Sequence, residues 1–135
     1  QLALKDVDVI NLQEVWLTPT TAKTFRQQIS KHFPHFHLTM DMASPDHGNT
    51  TSLAIVTLIR NDLAQHATRV PLSLISHNDN GATEEDSKGR LLVIRLSPPD
   101  SDTLITLVNT YLPVSTAANA LSRSTETWLK CYVYV

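Results

Sequence analysis

Apolar residues fall mostly in short β-branched runs along this chain, and only two stretches space them as a helix does. The run from Asp6 to Trp16 carries Val7, Val9, Ile10, Leu12 and Val15 with apolar positions on both faces, which predicts a central strand buried on both sides. Thr18 and Pro19 supply a helix start, and Phe25, Ile29 and Phe33 lie a turn apart on a helix that runs to about His32. His35 to Met40 alternates as a strand, and Asp41 to Thr51 reads as a loop from Pro45, Asp46, Gly48 and Asn49. Ser52 to Arg60 is the clearest strand of all. Val70 to Ile75 is weaker, because Pro71 confines it to an edge. Asn78 to Gly89 is a polar, acidic loop, with Asp79, Glu84, Glu85 and Asp86 as a solvated face. Leu91 to Leu96 and Leu104 to Tyr111 form a hairpin across Ser97–Asp102. Ala117 to Lys130 reads as a helix burying Leu121, Trp128 and Leu129.

Strands outnumber helices, and loops join consecutive strands as often as helices do. That predicts an α+β fold, an α/β sandwich with helices packed on a mixed or antiparallel sheet. At 135 residues the chain holds about one domain, and 41% hydrophobic with 18% charged residues is a globular balance. Cys131 is the single cysteine, so no internal disulfide staples the fold. No apolar run reaches the roughly 20 residues of a membrane helix. A net charge of −2 argues against holding nucleic acid by bulk electrostatics alone. The chain enters an apolar strand soon after Gln1 and stops within Tyr132-Val133-Tyr134-Val135, so it reads as a piece of a larger domain.

Two strand ends carry candidate chemistry. Glu14, in Leu12-Gln13-Glu14, puts a carboxylate at a strand terminus, where it either marks the emergence into water or binds a cation. Tyr111, in Asn109-Thr110-Tyr111-Leu112-Pro113, is either a ring packed at a sheet edge or a phenol facing a site. His32, His35, His37 and His47 suit solvated or packed positions better than a zinc centre, which needs a fixed ligand set that the lone Cys131 does not complete. Trp16 and Trp128 read as packing residues.

Taken as a pair, Leu12-Gln13-Glu14 and Asn109-x-Tyr111-x-Pro113 resemble motifs of the endonuclease–exonuclease–phosphatase superfamily. That superfamily includes abasic-site endonucleases and the endonuclease domains of non-LTR retrotransposons. Ser52 to Leu63, ending Arg60-Asn61-Asp62-Leu63, and Gly89-Arg90 before Leu91 to Leu96 are similar to further family segments in the same order. The stretch Gly48-Asn49-Thr50-Thr51-Ser52 departs from the glycine-rich run often found before that strand.

The resemblance implies a fragment of a two-sheet, four-layer domain with mixed, largely antiparallel strands. It also implies a Mg²⁺-dependent (or Mn²⁺-dependent) phosphodiesterase, with DNA as the first substrate, as in retroelement endonucleases. Relatives acting on RNA tails, inositol phosphates or sphingomyelin share these motifs, so the substrate class stays open. Glu14 would be the metal ligand, and Tyr111 would donate to a phosphate oxygen or orient the attacking water. The family's first strand would precede Gln1, its Gly-Asp-Phe-Asn motif would follow Val135, and its Ser-Asp-His motif would lie further on. Residues 1–135 are therefore expected to be an incomplete domain, inactive alone. The rival reading is a catalytically inactive remnant or interaction domain that keeps only the fold.

Overall fold

The computed structural model describes residues 6–44, 51–71 and 88–111. Along the chain these form β1 (Val9–Leu17), α1 (Pro19–His32), β2 (Phe36–Met42) and β3 (Ser52–Arg60). They continue as α2 (Asn61–Ala64), β4 (Ala67–Arg69), β5 (Leu91–Leu96) and β6 (Ile105–Thr110). The fold is α+β, with two three-stranded antiparallel sheets, ordered β1-β3-β2 and β4-β5-β6.

The start of α1 follows from its cap. The Thr18 hydroxyl accepts from the Thr21 N–H at 3.0 Å, and Thr21 Oγ1 accepts from the Thr18 N–H at 2.7 Å. Pro19 sits where a helix needs no backbone donor. Ala22 and Ile29 are then buried against Ala54, Val56 and Leu58 of β3, with Phe25 half-buried beside them.

The other face of β3 builds the inter-sheet core. Ile55 and Ile59 meet Leu92 and Ile94 of β5, and Leu63, Ala64, Ala67 and Leu107 seal the margin. Helix, first sheet and second sheet make three layers among the described residues. The helix read over 117–130 lies outside them, as do Cys131, Trp128, His47 and the acidic residues of the loop.

One expectation is corrected here. The strand buried on both sides is β3, whereas β1 is an edge of its described sheet, with Asn11, Gln13, Glu14 and Trp16 exposed. Apolar residues on both faces of β1 misled because a bulge changes which face they occupy. β4, at Ala67–Arg69, is a further strand not expected from the sequence, and residues 72–75 of the weak strand expected over Val70–Ile75 lie outside the described set.

The turn entering β5 is fixed by two carboxylate bonds. Asp41, buried on β2, accepts from the Gly89 N–H at 2.7 Å and pairs with the Arg69 guanidinium. Gly89 has φ of +69°, and a Cβ there would stand 2.2 Å from the Leu53 carbonyl oxygen. Only glycine fits that position.

Candidate functional site

Glu14 sits where β1 carries one residue more than its partner. Leu12 pairs with Val56 and Val15 with Ala54, so Gln13 and Glu14 together oppose Ile55. The extra residue resets the alternation, and both Leu12 and Val15 then face α1. Glu14 takes up the irregularity with φ of 55°, the only positive φ among described non-glycine residues. A left-handed conformation costs a residue with a Cβ about 1–2 kcal/mol. Strain of this kind gathers at functional sites, and here it falls on the one carboxylate that the motif singles out.

A polar network ties this bulge to the second sheet. Gln13 Nε2 donates to Asn109 Oδ1 at 3.3 Å and to the Thr110 carbonyl at 2.5 Å. Asn109, buried at 2% exposure, donates through Nδ2 to the Val56 carbonyl at 2.8 Å and to Thr57 Oγ1 at 3.2 Å. Thr57 donates onward to Asn11 Oδ1 at 2.8 Å. The residue before Glu14 thus grips the two residues before Tyr111.

Tyr111 continues the β5–β6 ladder, its N–H donating to the Arg90 carbonyl at 2.8 Å. Its side chain is half-buried and meets Glu14. Donation to the Glu14 carboxylate holds the phenol above its ordinary pKa, desolvation and the negative charge add to the effect, and Arg90 opposes it. The structure therefore brings Glu14 and Tyr111 together with Arg90 beside them, although Glu14 lies within β1 at its bulge and not at the strand terminus the sequence predicted.

Other candidates lie apart from this cluster. His32 interacts with Gln28, and His35 and His37 are exposed. No three His, Cys, Asp or Glu side chains converge among the described residues. An open cleft of about 420 Å³ lined by Arg26, Ser30, Phe36, His37 and Asn61 lies at the far end of β3, remote from Glu14. Trp16, read as a packing residue, is instead 62% exposed, because β1 is an edge strand.

Sequence reasoning assigned no role to Asn109 or Gln13 beyond their motifs. Asn109 directly after Leu107 and Val108 was the available signal, since a polar residue buried in a strand must find partners. No protein-family model, no curated protein and no solved structure matches this chain.

Proposed function

We propose that this chain contributes the Glu14–Tyr111 half of a Mg²⁺-dependent phosphodiesterase site, within a four-layer sandwich, and that DNA is the substrate. The observation that carries the reading is the meeting of a strained, exposed carboxylate with a phenol from the other sheet. Two packed sheets give local sequence no reason to aim these groups at each other.

The donor set suits a hard cation that keeps most of its water. Mg²⁺ takes oxygen ligands, usually one or two carboxylates, with water and phosphate oxygens completing the octahedron. Glu14 is exposed and would hold it. Bound there, the cation would neutralise charge on the phosphate and orient the attacking water.

Tyr111 changes partner in this scheme. Its hydroxyl, which leans on Glu14 in the free protein, turns to donate to a non-bridging phosphate oxygen as charge builds there. Arg90 adds a positive charge beside the same phenol, and the Gln13–Asn109 bridge keeps the two sheets in register beneath it.

The test is Mg²⁺-dependent cleavage of DNA, offered as supercoiled plasmid and as a single-stranded circle, by the protein that carries this chain. Glu14→Gln should lower the rate about 10²-fold or more, and Tyr111→Phe by about tenfold or more, with both variants folded. A folded protein that binds partners but shows no metal-dependent cleavage would favour the interaction-domain reading instead.

A further inference from the structure

Trp16 stands 62% exposed two residues beyond Glu14, and packing does not account for it. It pairs with Leu53, whereas Asn11 pairs with Thr57. Leu53 and Thr57 lie on the same face of β3, the one carrying Ile55 and Ile59 against the second sheet. Trp16 therefore projects on the side where Glu14 meets Tyr111. Leu53 is also the residue whose carbonyl crowds Gly89, which places the Gly89-Arg90 turn near the same rim.

Trp16 stands apart from the other exposed apolar side chains. Among the described residues the other exposed large hydrophobic side chains, Leu104 and Ile105, lie at the start of β6, opposite the end that holds Tyr111. An exposed indole set apart from the other exposed large hydrophobic side chains of the described residues lacks the contiguous apolar area of a protein interface. It has what a stacking platform needs, a flat apolar surface with a cation nearby to meet a phosphate. Two strand residues span about 6–7 Å. A phosphate at Glu14 and Tyr111 thus leaves its own or the adjoining base within reach of Trp16.

We infer that Trp16 stacks on an unpaired nucleobase next to the phosphate held at Glu14 and Tyr111, so that the substrate is a single-stranded segment of nucleic acid. This rests on the phosphodiesterase reading and narrows it, because inositol phosphates and lipid head groups carry no base to stack.

The experiment uses the same protein as the cleavage assay, carrying Trp128→Phe so that Trp16 is the one tryptophan left of the two in this chain. An oligothymidylate of about eight nucleotides and an abasic oligomer of the same length are titrated in Mg²⁺, with binding read by tryptophan emission and by anisotropy of a label on the oligomer. The oligothymidylate should quench Trp16. Trp16→Ala should weaken its binding about tenfold, Trp16→Phe should retain most of the affinity, and the abasic oligomer should bind both forms equally. Equal oligothymidylate binding by Trp16→Ala and the parent would overturn the inference. If Glu14→Gln still lowered Mg²⁺-dependent affinity in that case, the phosphodiesterase reading would stand without the stacking. Tighter binding of duplex than of single strand, or a change in self-association in Trp16→Ala with no change in nucleotide affinity, would also overturn it. Indifference of every oligomer to Glu14→Gln and to Mg²⁺ would remove both readings.

Discussion

Replacing Asn109 tests whether the polar bridge between the sheets holds the site together. The side chain is 2% exposed and makes bonds of 2.8 Å to the Val56 carbonyl, 3.2 Å to Thr57 and 3.3 Å from Gln13. Each bond is worth about 1 kcal/mol net, and a buried partner left unsatisfied costs about 1–3 kcal/mol. Asn109→Ala should therefore lose about 2–4 kcal/mol, a large share of the roughly 5–15 kcal/mol that stabilises a typical domain. Asn109→Leu separates polarity from volume, since it fills the space and leaves the same groups unpaired. Its loss should approach that of the alanine variant. Asn109→Asp should be the worst of the three, because it sets a carboxylate oxygen against the Val56 carbonyl where an N–H now donates. Urea unfolding followed by circular dichroism reads these changes as a fall in midpoint of about 1–2 M for the alanine variant. A leucine variant within about 0.5 kcal/mol of wild type would refute the reasoning and reduce the network to space filling.

Three further outcomes follow from the same geometry. Gly89→Ala should destabilise by about 3 kcal/mol or more, measured by thermal unfolding, since its Cβ meets the Leu53 carbonyl at 2.2 Å and its φ is +69°. Glu14→Gly should raise stability by about 0.5–1 kcal/mol in the same assay, because relief of the left-handed backbone outweighs the added chain entropy. The same substitution should abolish cation binding, so that stability and function part at one residue. Arg69→Ala should cost about 1–2 kcal/mol by urea unfolding, less than the loss of a fully buried pair, because Arg69 is 43% exposed while its partner Asp41 is buried.

Strands and helix whose cause lies in their own residues were legible in the sequence. Ser52–Arg60 and Leu91–Leu96 match the expected bounds because nearly every side chain is buried and the apolar run simply ends. The Thr18-Pro19 signal placed the start of α1 for the same local reason. What escaped is either too short to show a period or depends on distant partners. α2 is four residues long and is set by Arg60 gripping Asp62, and β4 is three residues held by pairing with β5. The bulge at Glu14 has no glycine to announce it, because the chain tolerates the strain to keep Leu12 and Val15 both facing the helix. Periodicity could not have paired Glu14 with Tyr111. That expectation came from a resemblance, and the Gln13–Asn109 bridge supplies the physical reason they meet.

The central claim is that the Glu14 carboxylate binds a divalent cation, and Mn²⁺ binding followed by electron paramagnetic resonance tests it most directly. The account predicts one saturable site that Mg²⁺ displaces. Glu14→Gln should weaken it about tenfold or more with the circular dichroism spectrum unchanged, while Asp62→Asn, at the remote α2, leaves it intact. Equal Mn²⁺ affinity in wild type and Glu14→Gln would contradict the account.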